Sequence, residues 1–482
     1  MEIGKSLLMP VRARPYYHQN QAFDFACEKF GLTGPHRTTC GVALLMEMGC
    51  GKTITGIGIV GALYQFGRVT RVLIVCPLSI TGVWEQEFQR FAAYPYQLTI
   101  LAGSSAKKKE LLSKLPKQDP KKVQIVVVNY ESSWRIQKEL EAFAPDMIIA
   151  DEGHKLKDAQ TAQSRCLHEL GDKAAYKLLL TGTVITNKEL DVYSQYRFLN
   201  SSIYGNSFYR FRNRYFEMGG YGNHTPIFRS YMREEFLKKL HSVAFRVTKE
   251  ECLDLPEKIE EVRYVDLEPK AMKQYSSLEE QQVTELGEGE VTSVNMLTKV
   301  LRLSQLAGGH LPDQEGHVKA VSTAKLEALE DIVDTALAED KKLVVMARFI
   351  PELNDIAEML ERKKISFAMV RGGVKDRADE IRSFQEEPKC RVFIGQIAAA
   401  GLGITLTAAS TMVFYSLDYS MSNFEQAKAR IHRVSQKNNC QYIYLLARNT
   451  VDKKVLRALR EKADLAKLLV DDYRKGRNPF RE

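Results

Sequence analysis

The sequence predicts an α/β protein: two parallel-sheet domains in tandem, with a helical, aromatic and basic insert between them. Three observations predict it. Continuous apolar runs of strand length recur in two series, helix-length stretches separate the runs, and 482 residues exceed what one hydrophobic core normally organises.

The first series comprises ALLME (43–47), RVLIVCP (71–77), VQIVVVNY (123–130), DMIIADE (146–152) and KLLLTGT (177–183), with WEQEFQRFAA and TAQSRCLHEL among the helical stretches. Runs apolar on every residue, rather than on alternate ones, predict strands covered on both faces, and such sheets bind ligands at their carboxyl ends. The second series is KKLVVMARF, ISFAMVRGG, RVFIGQI, TMVFYSLD and CQYIYLLAR, closed by a helix from about Val451 to Leu469. Between them the chain turns aromatic and basic (FYRFRNRYF), then glycine-rich (MGGYGNHTP), then helical and charged. The expected domains are residues 1–200, an insert with linker helices over 201–322, and 323–482. The run Val392–Leu417 has no charge and bilayer-spanning length, but Gln396, Thr405, Thr407, Ser410, Thr411 and Ser416 punctuate it. It reads as strand, loop and strand, with no membrane.

A hydrophobic fraction of 44% and a charged fraction of 27% are those of a folded globular chain. The net charge of +9 is compatible with a polyanionic partner without requiring one. The eight cysteines form no C-x-x-C pair and no zinc spacing, which disfavours metal and disulfide frameworks and suits reduced thiols inside a cell. The N-terminus has no long apolar export region.

The chemistry concentrates at strand ends. In MEMGCGKT, Gly49, Cys50, Gly51, Lys52 and Thr53 follow a strand and open an apolar helix. Glycines let backbone N–H groups approach phosphate oxygens, the lysine reaches the β- and γ-phosphates, and the threonine hydroxyl suits Mg²⁺. Met46 stands where the usual pattern has its first glycine. The strand DMIIADE ends in Asp151 and Glu152, where one carboxylate can hold the metal and its neighbour can orient water. Two acids at a strand end also make an ordinary solvated turn; a phosphate loop about one hundred residues upstream favours the first reading.

In chain order ARPYYHQNQA, MEMGCGKT, LIVCPLSITGVWEQEFQRF, VVVNYESS, DEGHKLKD, LLLTGTVITN, ELDVYSQYRFLN, LDLPEK, AAAGLGITLTAAS and QAKARIHRVSQ resemble the motif series of Snf-type (SWI/SNF-like) superfamily 2 helicases and translocases, in a compact viral or bacterial form. The resemblance spans about residues 12 to 460, and its most specific parts are DEGHKLK and QAKARIHRVSQ. In that family position 46 is usually acidic, so the missing glycine is normal and only the methionine is unusual.

The resemblance implies two RecA-like domains that use ATP and Mg²⁺. It makes Gln19 the adenine reader, Gly49 to Thr53 the phosphate and metal site, Asp151 a metal ligand and Glu152 the catalytic base. Thr181 and Thr183 would couple hydrolysis to movement. Gln426, Arg430 and Arg433 fall at helical spacing on one face, with Arg433 the expected arginine finger and Arg430 beside it; a basic solvated helix face is the plainer alternative. Ser79, Trp84, Asn129, Tyr130, Arg348, Gln396 and Thr405 lie where the family contacts the nucleic-acid backbone, although each taken alone reads as a core residue. The chain departs from the family before GLGIT, where Ile397, Ala398 and Ala400 replace its usual residues.

In the insert, Arg210, Arg212 and Arg214 interleave with aromatics, a composition suited to DNA or, equally, to an amphipathic helix docked on the first sheet. The expected function is an ATP-dependent DNA translocase or helicase acting on duplex, forked or branched DNA, in the cytoplasm of a bacterium or infected host cell. Partner proteins of replication, repair or recombination fit this setting. An RNA helicase and a non-motor ATP-dependent switch or loading subunit are the alternatives.

Overall fold

The computed structural model describes residues 7–34, 36–182, 184–185, 188–219, 225–248, 251, 256–287, 293–312, 318–372, 377–398, 404–433 and 435–461. The chain divides into two compact units, Met1–Leu253 and Asp254–Glu482.

The first unit is built on strands β1 (Gly41–Met46), β2 (Arg71–Cys76), β3 (Tyr96–Ile100), β4 (Val123–Asn129), β5 (Met147–Asp151) and β6 (Tyr176–Thr181). A hairpin, β7 (Phe216–Gly219) with β8 (Thr225–Phe228), and a last strand, β9 (Ala244–Val247), follow. The sheet runs β3-β4-β2-β5-β6-β1-β9 and every pairing in it is parallel. Successive side chains alternate between two cores: Ala43 and Leu45 enter one, Val42, Leu44 and Met46 the other. That is why these strands read as continuous apolar runs. The helix Lys52–Gln65 is buried at every position from Ile54 to Leu63, which fixes the loop before it. Close packing sets its small residues: a Cβ on Gly61 would lie 2.3 Å from the Tyr94 ring.

The second unit carries β10 (Lys258–Val265), an antiparallel pair β11 (His310–Pro312) and β12 (Val318–Ala320), then β13 (Leu343–Ala347), β14 (Phe367–Val370), β15 (Val392–Gln396), β16 (Thr411–Phe414) and β17 (Cys440–Ala447). Its sheet runs β10-β17-β16-β13-β15-β14, again all parallel. Val344 and Met346 face one core, Leu343, Val345 and Ala347 the other. The two-domain α/β architecture expected from the sequence is the one present.

The stretch read as an insert is shared between the units. Residues through His241 add the helix Phe208–Tyr215, the β7/β8 hairpin and the helix Arg233–His241 to the first unit, and β9 pairs with β1 at Ala43↔Ala244. β10 pairs with β17 along its whole length at the edge of the second sheet. β3, β9 and β10 escape an apolar-run criterion because they are short or carry exposed polar residues, as edge strands do.

Seven cysteines among the described residues are free thiols. Val392–Leu417 contains two strands, and no helix among the described residues is long and apolar enough to cross a membrane.

Candidate nucleotide-binding site

The loop after β1 has the conformation its glycines predict. Gly49 and Gly51 take φ of +91° and +86°, a region that costs other residues about 1–2 kcal/mol, and the helix begins at Lys52. A Cβ on Gly51 would lie 2.1 Å from the Gln19 amide nitrogen. Gln19 is buried and clamps the loop: its Nε2 donates to the Cys50 carbonyl at 3.3 Å and its Oε1 accepts from the Tyr16 N–H at 3.0 Å. The His18 ring nitrogen Nε2 meets the same Cys50 carbonyl at 2.8 Å. Cys50 thus contributes a main-chain acceptor while its side chain is buried. The Lys52 ammonium donates to the Met46 carbonyl at 2.9 Å. Thr53 is half-buried in the first turn of the helix.

Three chemical segments leave three adjacent strands at the same edge. β6 lies between β5 and β1, with Asp151 opposite Leu180 and Leu45 opposite Thr181. Gly182 follows so closely on the phosphate loop that a Cβ there would be 3.5 Å from the Met46 oxygen. Thr181 is fully buried, and Thr183 lies outside the described residues.

Asp151 is 6% exposed. Its Oδ2 accepts from the Trp84 indole N–H at 3.1 Å and its Oδ1 from the Glu152 N–H at 2.9 Å. Burial first, then the Glu152 charge, push its carboxyl up to about 7, against the Lys52 ammonium. Glu152 itself sits at φ +51°, unusual for a residue with a Cβ, and its carboxylate lies 3.3 Å from His154 Nδ1. A desolvated carboxylate here is relieved by a nearby cation. The donor set present, the Asp151 carboxylate at the strand end and the Thr53 hydroxyl at the helix start, is one that fits Mg²⁺, an ion held by one or two protein groups plus phosphate oxygens and water.

The structure corrects three residues read as backbone contacts. Trp84 and Tyr130 are only 1% and 0% exposed, and Asn129 5%. Their polar atoms serve the interior: Trp84 holds the Asp151 carboxylate, Tyr130 donates its hydroxyl to the Asp151 carbonyl at 2.8 Å, and Asn129 accepts from the buried Lys108 ammonium at 2.8 Å. Ser79 is exposed, in the turn Leu78–Ile80. No spacing in the sequence distinguishes an aromatic that faces a ligand from one that braces a carboxylate.

In the second unit, the helix expected to carry Gln426, Arg430 and Arg433 ends at Lys428. Gln426 is on it, half-buried, with its amide donating to Ser422 Oγ at 3.3 Å. The two arginines follow in turns: the Arg430 N–H donates to the Ala427 carbonyl three residues back, and the Arg430 carbonyl accepts from the Leu406 N–H. They also diverge. Arg430 is fully buried and its Nη1 donates to the Ile404 carbonyl at 3.4 Å, a bracing position rather than a finger. Arg433 is half-buried, with Nη1 on Thr405 Oγ1 at 2.8 Å. Thr405 is therefore engaged by Arg433 in this form. Arg348 lies flat on the Tyr419 ring at 3.6 Å, and Gln396 binds the Arg348 carbonyl and Gly372 N–H.

Of the insert arginines, Arg210 is exposed and Arg212 lies over Tyr209. Arg214 makes a two-pronged pair with Glu235 at 3.0 and 2.8 Å, which with the Tyr215 hydroxyl holds that carboxyl down at about 2. The helix docks through Phe211 and Tyr215, both buried, with Arg210 and Arg214 exposed and Arg212 half-buried.

Residues 18–307 match the SNF2-related domain, and residues 324–435 match the helicase conserved C-terminal domain. The chain is 26% identical over 442 residues to an uncharacterised ATP-dependent helicase of Mycoplasma genitalium, covering 90% of this chain and 40% of that protein. A RAD54-like DNA repair and recombination protein of Gallus gallus is 25% identical over 505 residues, covering 95% of this chain and 68% of that one. Among solved structures, the Sulfolobus solfataricus SWI2/SNF2 ATPase core in complex with dsDNA aligns over 98% of both chains at 23% identity, with a TM-score of 0.46. The chain spans less than half the length of the mycoplasma helicase.

Proposed function

The chain belongs to the SNF2-related family, and from that premise we propose that it is an ATP-driven DNA motor, hydrolysing ATP with Mg²⁺ and moving along duplex, forked or branched DNA. The observation that carries the reading is the meeting of the phosphate loop, the Asp151–Glu152 pair and Thr181–Gly182 at the ends of β1, β5 and β6.

Bound MgATP supplies the scissile γ-phosphate and the metal's charge. The chain's own residues do the rest. Backbone N–H groups of the Gly49–Thr53 loop face phosphate oxygens at a helix N-terminus, and Lys52 exchanges the Met46 carbonyl for a phosphate oxygen. Gln19, locked to Cys50, reads the adenine edge. Asp151 with Thr53 would hold Mg²⁺, and Glu152 is the base that would orient the attacking water and accept its proton. Arg433 neutralises charge that develops on the γ-phosphate.

DNA contacts in this reading fall on phosphates, since a moving motor cannot depend on base sequence. The exposed Ser79 turn and Arg210 and Arg212 are the residues that support it in the first unit.

ATP hydrolysis is measured with and without duplex, forked and four-way DNA, alongside third-strand displacement from a triplex. Expected are stimulation by DNA and ATP-dependent displacement, both abolished by Lys52→Ala and Glu152→Gln. Hydrolysis that persists in both variants removes the site assignment, and hydrolysis with no displacement or unwinding leaves a switch instead of a motor.

A further inference from the structure

Two segments of the first unit that the resemblance places near DNA each send an aromatic ring inward, and both rings end on one residue. The helix Thr81–Phe91 follows directly on the exposed turn Leu78–Ile80, and its Trp84 donates the indole N–H to Asp151 Oδ2 at 3.1 Å. Tyr130, immediately after β4, donates its hydroxyl to the Asp151 main-chain oxygen at 2.8 Å. Asp151 is thus gripped at its carboxylate from one segment and at its carbonyl from another.

The contacts are stiff. Trp84 and Tyr130 are exposed by 1% and 0%, and interiors at native density transmit small shifts rather than absorb them. An indole N–H can only donate, so Oδ2 of Asp151 follows Trp84. The second segment is anchored as well: the Lys108 ammonium reaches both Asn129 Oδ1 and Ser132 Oγ, on either side of Tyr130. A displacement of the 78–80 turn therefore arrives at the Asp151 carboxylate through one side chain and one hydrogen bond, and a displacement of the short helix Tyr130–Ser133, exposed at Glu131, arrives at the Asp151 carbonyl in the same way.

We propose that Trp84 and Tyr130 are positioning residues that link DNA seated on the 78–80 turn and against the short helix Tyr130–Ser133 to the metal-holding orientation of Asp151. The inference rests on the ATP-driven motor reading. It gives these aromatics a function that neither DNA contact nor simple core filling would.

Tyr130→Phe removes one oxygen and leaves the ring; Trp84→Phe removes the N–H donor. Hydrolysis is titrated with Mg²⁺ at fixed ATP, with and without duplex DNA. Trp84→Phe should raise the half-saturating Mg²⁺ concentration about tenfold, the worth of one hydrogen bond to a charged acceptor. Both variants should lose most of the DNA stimulation while the DNA concentration giving half of the remaining effect stays that of the parent. A spectroscopic measurement stands apart from turnover. The chain has 2 tryptophans, so Trp134→Phe leaves Trp84 alone; its emission should change on adding Mg²⁺ with ADP and again on adding duplex.

An emission indifferent to both, or variants with the parent's Mg²⁺ requirement and full stimulation, overturns the inference while leaving the motor reading intact. A parent protein without DNA-stimulated hydrolysis overturns the motor reading and this inference with it. Should Trp84→Phe fail to fold, Tyr130→Phe and the emission of Trp84 decide.

Discussion

The Lys52 ammonium rests on the main-chain carbonyl of Met46, 2.9 Å away, while the Met46 side chain points into the core and has no exposure. Position 46 therefore serves the phosphate loop through its backbone. Its side chain belongs to the cluster that includes Phe23, Ile57 and Leu180. Met46→Asp should place a carboxylate in that cluster and lower stability by about 3 kcal/mol. Met46→Leu, which conserves volume, should cost less than about 1.5 kcal/mol and leave the KM for ATP within about threefold. Denaturant unfolding and ATP titration check both; an aspartate variant as stable as the parent would contradict the packing argument.

Arg433 and Arg430 should separate cleanly on mutation. Arg433 sits at a half-buried surface, with its guanidinium on the Thr405 hydroxyl and the Ala429 carbonyl, so Arg433→Ala should change the melting temperature little. On the arginine-finger role proposed for it, its loss should lower kcat by about 10³. Arg430→Ala empties a fully buried site and removes the bond to Ile404, so it should lower stability by about 3 kcal/mol. Melting curves beside steady-state kinetics distinguish the two, and equal kcat losses with equal melting shifts would refute the division.

The phosphate loop and the acid pair were legible because their chemistry is local: glycines at left-handed positions, a lysine at a helix start and two acids at the end of an apolar strand. β1, β2, β4, β5 and β6 were legible because both faces of each are covered. What stayed hidden depends on direction. Trp84, Tyr130 and Arg430 carry the same letters whether they face solvent or the interior, and only the surrounding sheet turns them inward. The helix end at Lys428 was hidden for a related reason, since the partner that takes the Arg430 carbonyl, Leu406, lies far away in sequence.

The insert arginines should contribute unequally to DNA binding. Arg214 is neutralised by Glu235, whereas Arg210 is exposed and Arg212 lies over the Tyr209 ring and against Asn213, with no ion pair among the described residues. Replacing Arg210 and Arg212 by alanine should reduce the magnitude of the slope of log affinity against log salt by about 2. Arg214→Ala should change that slope by less than about 1. Binding titrations of a duplex across salt concentrations measure both, and a larger effect from Arg214→Ala would show that its pair with Glu235 opens on DNA.

Glu352 gives a pH dependence whose sign follows from burial. It caps the helix Ile350–Arg362, accepting from the Phe349 N–H at 3.1 Å and from the Ser416 hydroxyl, and it has no exposure. Among the described residues its Oε1 has no hydrogen-bond partner, and a Cβ on Gly308 would lie 2.1 Å from it. Burial pushes this carboxyl from 4.5 up to about 7, against the pull of its two hydrogen bonds and Lys325. The folded chain then holds the proton more tightly than the unfolded one. The stability that comes from this group is complete below the unfolded pKa, about 4.5, and is lost as pH rises through about 7. Glu352→Gln keeps the acceptor and removes the titration. Relative to the parent, it should gain on the order of 2 kcal/mol between pH 5 and pH 8. Unfolding of parent and variant at both pH values gives the difference directly. A gap that is constant across the range would mean that Glu352 stays ionised in the fold, with its second oxygen satisfied by water.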